Sequence, residues 1–184
     1  MDAAVEKAWS AFESWQKTTF RQRRKLMLRL KDEIRKQKRE IAEIIVKENG
    51  KPFVEAVAYD IFPVLEFVTY FANHAEEILR REFLDIGKWK FMRRESYLEY
   101  APLGVVGVIA PWNFPFSLAM GPLIQAIMAG NAAVLKPSEL TTMTGIKIGE
   151  LFKAAGFPDG LVGVATGDGR TGEALVRSRV KKII

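Results

Sequence analysis

The apolar positions change period near residue 100, and the change separates two kinds of structure. Before it, Met27, Leu30, Ile34, Ile41, Ile44 and Ile45 recur at largely helical spacing. Lys and Arg occupy the opposite side, interleaved with Asp32, Glu33, Glu40 and Glu43. This is the pattern of amphipathic helices with one buried face. Gly50 followed by Lys51 and Pro52 reads as a stop, because glycine can take the left-handed conformation at a helix end and proline cannot continue the helix. Further helices are expected over about 53–72 and about 74–82, with a break at 84–88. Trp89, Phe91, Tyr97 and Tyr100 alternate over part of their span with charged residues. The spacing predicts one or two exposed strands within 89–100, and a charged edge strand of this kind can pair with another subunit.

After residue 100 the apolar residues come in short continuous runs. Gly104–Ala110 and Asn131–Leu135 have the form of parallel strands buried on both faces. Leu161–Ala165 and Val180–Ile184 read as a third and fourth strand. Between them, 117–129 is expected to be a helix closed by Gly130. Thr141 or Thr142 can N-cap a helix that reaches Ala155 and is ended by Gly156, and 172–179 is helical. Strand and helix in alternation predict an α/β, doubly wound parallel sheet. The chain stops within the last apolar run, so it reads as the N-terminal portion of a longer protein. Three regions are expected: a helical layer over 1–87, strands of an oligomerisation type over 88–100, and over 101–184 the first part of an incomplete sheet domain.

Composition narrows the chemistry. The chain is 48% hydrophobic and 27% charged, an ordinary globular balance that excludes disorder and low-complexity structure. It has no cysteine, so neither a disulfide framework nor a thiol nucleophile lies within these residues. A single histidine, His74, argues against a histidine metal site and is read as an ordinary helix-start or surface residue. The net charge of +6 is spread evenly: 20 Lys and Arg against 17 Asp and Glu in residues 1–100, and 8 against 5 thereafter. The most basic stretch, 17–39, has acids interspersed and reads as a solvated helix face; no nucleic-acid partner is expected. Tyr100 to Leu135 contains no charged residue, yet Pro111, Asn113, Pro115, Gly121, Pro122, Gln125 and Asn131 interrupt it. Such breakers do not suit a membrane span. The first ten residues include Asp2 and Glu6 and lead into no apolar leader core, so a cytoplasmic location is expected.

Ligands of open α/β sheets bind beyond the carboxyl ends of the strands. Two segments there carry candidate chemistry. Ala110-Pro-Trp-Asn-Phe-Pro115 holds Asn113 between two prolines. A rigidly held carboxamide can donate to a developing oxyanion, or it can simply satisfy backbone groups of its own turn; spacing leaves both open. Lys136-Pro-Ser-Glu139 places a cation and an anion three residues apart at a strand end, suited to gripping ribose hydroxyls. The alternative is helix-start chemistry, with Ser138 or Glu139 as the cap. Gly167-Asp-Gly-Arg-Thr-Gly172 satisfies G-x-G-x-x-G, whose usual reading is a pyrophosphate cradle. On its own the pattern is weak, and tight-turn glycine is the plainer explanation.

Taken together, four ordered segments resemble the aldehyde dehydrogenase family: Glu48-Asn-Gly-Lys-Pro52, Pro102 to Pro115, Ala129 to Glu139, and Ala155 to Leu161. The resemblance runs over about residues 4–184. It implies the aldehyde dehydrogenase-type fold, with N-terminal helices and the first part of a Rossmann-like sheet. It implies that Asn113 donates to the thiohemiacetal oxyanion. Ile109, Pro111, Trp112 and Asn113 would line the cofactor, Lys136, Ser138 and Glu139 would lie at the adenosine ribose, and Gly169 by the adenine end. The pyrophosphate would go to a later strand–helix turn. Family chemistry also needs a cysteine nucleophile and a glutamate base, expected beyond residue 184, so the 184 residues alone should be inactive. The substrate would be a small-molecule aldehyde, and the complete enzyme a homo-oligomer, dimeric or tetrameric. NAD is favoured because Glu139 would repel a 2′-phosphate, and NADP stays open. One departure stands out: many members carry a lysine at the position of Pro122, which removes any lysine relay at that point.

Overall fold

The computed structural model describes residues 1–184, the side chains of Lys90 and Met92 excepted. The helical spacing of the first part resolves into α1 (Asp2–Trp15), α2 (Phe20–Lys36), α3 (Lys38–Asn49), α4 (Phe53–Glu55), a π-helical turn (Ala56–Ile61) and α5 (Phe62–Ile78). Thr19 and Gln22 form a reciprocal capping box at the start of α2. Gly50 ends α3 in the left-handed region at φ 77°, and its N–H donates to the Val46 carbonyl. Residues 53–78 form one uninterrupted helical run, not the two helices expected. The polar Asn73-His74 pair resembled a boundary, but no breaker lies there, and the apolar side continues through Ala72 and Ala75 into the core. His74 therefore lies inside α5, stacked on Tyr70, with Nδ1 at 2.8 Å from the Tyr70 carbonyl oxygen.

Next comes a two-stranded antiparallel ribbon, β1 (Glu82–Leu84) with β2 (Ser96–Leu98), in the register Phe83 opposite Tyr97. This corrects the expectation for 89–100. Trp89 and Phe91 lie in a 3₁₀ turn (Gly87–Met92), and the first strand falls where a helix end and a break were expected. Alternating Lys88-Trp89-Lys90-Phe91 mimics a strand, whereas the left-handed Arg93 (φ 54°) turns the chain back before pairing begins.

The second part forms β3 (Val105–Ile109), α6 (Ser117–Met128), β4 (Ala132–Lys136), α7 (Thr142–Ala154), β5 (Val162–Val164), α8 (Gly169–Val176) and β6 (Lys182–Ile183). The strands form a parallel sheet in the order β5-β4-β3-β6. Gly107, Val134 and Gly163 share one row across it. A Cβ at Gly107 would meet Leu175 of α8, and one at Gly163 would lie against α1. α1 and α8 thus lie on one face of this row, where the missing Cβ of Gly107 leaves room for Ile183 and Leu175. Val164 points oppositely, against Gly149 of α7. Right-handed crossovers put α6 beside α7 on that second face, and α2, α3 and α5 cover it as an outer layer. The core is continuous from Leu30 and Ile34 through Leu123, Ile124 and Ile127 to Val134 and Leu135, all essentially inaccessible.

Most of the basic side chains of 17–39 are exposed to solvent, with a few engaged in packing or local ion pairs. Arg23 is buried, donating to the Met128 carbonyl at the end of α6 and to the Gln16 and Thr18 carbonyls. Lys31 donates to Thr69, and Lys36 and Arg39 pair with Glu33 and Glu43.

Candidate functional site

The register of the sheet builds the site. Ile109 and Lys136 are partners at the carboxyl ends of β3 and β4, and the Ala110 N–H donates to the Lys136 carbonyl at 3.0 Å. The two segments singled out in the sequence therefore leave the same edge side by side. Lys136 is buried, and its ammonium lies 3.0 Å from the half-exposed Glu139 carboxylate. A buried ammonium loses its hydration, so a partner carboxylate at its tip is the compensation chemistry requires. The Glu139 carboxyl is held below the usual glutamate range, first by its own backbone N–H and then by Lys136. The pair thus presents a donor and an anionic acceptor together, which suits a vicinal diol.

Ser138 turns out to be a local cap. Its hydroxyl oxygen accepts the Leu140 N–H at 3.2 Å, opening the 3₁₀ turn Glu139–Thr141. Thr141 occupies the N-cap position of α7, one of the two expected, but its side chain does not supply the cap. The Thr141 side chain makes no cap bond, and the Glu48 carboxylate instead accepts the Met143 and Thr144 N–H groups at 2.6 and 2.9 Å.

Asn113 resolves the alternative left open by spacing. Among the described residues its carboxamide has no hydrogen-bond partner within the chain, so it does not satisfy its own turn. Its backbone carbonyl is what the protein holds: the Lys51 ammonium donates to it at 2.8 Å and the Asn49 carboxamide at 3.4 Å. Asn49 also donates to the Trp112 carbonyl at 2.7 Å. Pro111, Trp112 and Asn113 are exposed, and Ile109 is 37% exposed at the strand end. A free carboxamide on a fixed backbone is the arrangement an oxyanion donor needs.

The fingerprint glycines differ from each other. Gly167 sits at φ 147°, and a Cβ there would collide with the Thr171 side chain. Gly169 opens α8, and a Cβ there would meet nothing within 4 Å. The Asp168 carboxylate caps this helix through the Arg170 N–H at 3.0 Å. That helix start already carries an anion, which disfavours pyrophosphate there. Pro122 is interior to α6, provides no N–H to the helix and offers no ammonium.

Asn49, Lys51 and Asp60 were missed as site residues. Their partners in the 112–117 turn lie about sixty residues away in sequence, beyond any periodicity; only the Glu48–Pro52 segment marked the neighbourhood of Asn49 and Lys51.

These features define the class: a doubly wound α/β module with polar side chains gathered at the carboxyl edge of its strands. The model of the aldehyde dehydrogenase family matches residues 1–184, and the chain belongs to that family. It is 38% identical over 165 residues to 4,4'-diapolycopene aldehyde oxidase of Methylomonas sp, covering 90% of this chain and 31% of that protein. It is also 38% identical over 178 residues to N-succinylglutamate 5-semialdehyde dehydrogenase 1 of Caulobacter vibrioides, covering 96% and 36%. A solved NAD+ complex of aldehyde dehydrogenase from Bacillus cereus matches with a TM-score of 0.91 and 36% identity over 99% of this chain and 37% of that one. The chain thus spans about a third of the length of these relatives, and the fold is the aldehyde dehydrogenase fold.

Proposed function

We propose that this chain supplies the oxyanion donor and the adenosine-ribose grip of an NAD-dependent aldehyde dehydrogenase. The observation that carries the reading is the unpartnered Asn113 carboxamide beside the strand end that holds the Lys136–Glu139 pair. Ribose hydroxyls would donate to Glu139 and accept from Lys136. Gly169 leaves open space for the adenine end, and Ile109, Pro111 and Trp112 present exposed apolar surface at the strand edge. NAD, when bound, accepts the hydride.

The sulfur nucleophile comes from polypeptide outside these residues, since the chain has no cysteine. As that sulfur adds to an aldehyde carbon, charge gathers on the carbonyl oxygen, and the Asn113 N–H donates to it. The preference for NAD rests on charge: Glu139 repels a 2′-phosphate, and Lys136 is already neutralised by Glu139. The exposed aromatic ribbon of β1 and β2 supports a homo-oligomer.

The test is kinetic, on the full-length protein that carries this chain. Aldehyde-dependent reduction of NAD is expected, and Asn113→Ala is expected to lower kcat about a hundredfold or more. Unchanged turnover removes Asn113 from the mechanism. Tighter binding of NADP than of NAD, undiminished in Glu139→Gln, refutes the electrostatic argument.

A further inference from the structure

Among the described residues Asp60 is the most deeply buried charge, and both of its carboxylate oxygens are engaged. One oxygen, Oδ1, accepts the N–H groups of Phe116 and Ser117, each at 3.1 Å, and the Ser117 hydroxyl at 3.4 Å. The other, Oδ2, lies 2.7 Å from the ammonium of Lys51, itself almost fully buried. Lys51 passes the contact on: it donates to the Asn113 carbonyl at 2.8 Å and sits 4.4 Å from the Phe114 ring centroid. A single ion pair from outside the sheet therefore grips the turn at residue 113 and again at the start of α6.

Capping α6 does not require such a pair. A neutral Ser, Thr or Asn at the cap does that work without burying charge, and a buried ion pair is a weak source of stability. What the pair adds is a fixed distance between the two sides of a turn whose tip carries the free carboxamide. With its carbonyl fixed, Asn113 keeps only side-chain rotation. A catalytic donor has to be held within about half an ångström of its working position.

We infer that Lys51 and Asp60 are positioning residues that aim the Asn113 carboxamide. The inference rests on the reading of Asn113 as the oxyanion donor.

The test uses the full-length protein with Lys51→Met and Asp60→Asn combined, with and without Asn113→Ala. The combined variant leaves no buried charge unpaired. It is expected to lower kcat tenfold or more, while the NAD dissociation constant at the Lys136–Glu139 pair, which neither Lys51 nor Asp60 touches, changes less than about twofold. In the Asn113→Ala background the same pair of changes is expected to cost less than about twofold. Hydrogen exchange in peptides covering 112–117 is expected to quicken. Lys51→Arg keeps both charges but cannot place its donor at the same point, so it is expected to lose kcat without losing melting temperature. Equal losses in both backgrounds, or unchanged exchange, overturn the inference. Undiminished kcat in an enzyme that does need Asn113 overturns it alone. Undiminished kcat in Asn113→Ala overturns the oxyanion reading, and this inference with it.

Discussion

At the scale of single residues, the same residue type carries opposite consequences at two neighbouring positions. Gly167 is required by conformation and by Thr171, whereas Gly169 faces open space. Gly167→Ala is expected to destabilise the turn into α8, read as a lower denaturation midpoint. Gly169→Ala is expected to leave the midpoint unchanged and to weaken NAD binding, checked by titration calorimetry. Glu139 gives a pH prediction. Its carboxyl is held below its ordinary value by its own N–H and Lys136, so the anion persists as pH falls through the usual glutamate range. Whatever the charged form contributes is present above the ordinary value and lost only as pH falls through the lowered one. NAD affinity is therefore expected to hold as pH falls through the ordinary glutamate value and to be lost only at the lowered one, and Glu139→Gln is expected to flatten that profile. The free carboxamide of Asn113 was legible only as one of two readings. Spacing places a side chain in a turn but does not say which of its atoms the rest of the protein occupies.

At the scale of elements, the buried strands were the most legible. Gly104–Ala110 and Asn131–Leu135 contain the observed Val105–Ile109 and nearly all of Ala132–Lys136, because a strand buried on both faces has to be apolar throughout. The helix expected over 172–179 begins earlier, at Gly169, because Asp168 caps it. The ribbon was displaced and the run 53–78 was divided, in both places because short-range alternation or polarity imitated a boundary. The N-cap position of α7 falls on Thr141, one of the two expected, but the side chain that accepts its first free N–H groups is Glu48, ninety-five residues earlier. Glu48→Ala is expected to destabilise the protein by about 1–2 kcal/mol, as loss of an N-cap does, measured by chemical denaturation. Thr141→Ala is expected to cost less, since its hydroxyl is buried without a partner.

At the scale of the whole molecule, the helical layer and the sheet form one core, while the ribbon stands apart from it. Phe83, Tyr97 and Leu98 are exposed, and a two-stranded ribbon on its own is marginal in water. If the ribbon joins subunits, Phe83→Asp with Leu98→Asp is expected to shift the full-length protein to a smaller species in light scattering after size exclusion. Unchanged mass rejects the ribbon as the interface. Among the described residues, no helix is long and apolar enough to cross a membrane. The corner between α3 and α4 has the widest reach. Glu48 meets the start of α7, just past the Lys136–Glu139 pair, while Asn49 and Lys51 meet the Trp112–Asn113 turn. Three residues thus work as a calliper, setting the distance between the Trp112–Asn113 turn and the start of α7. One amino acid inserted between positions 48 and 51 would change that distance while leaving every ligand-facing side chain as it is.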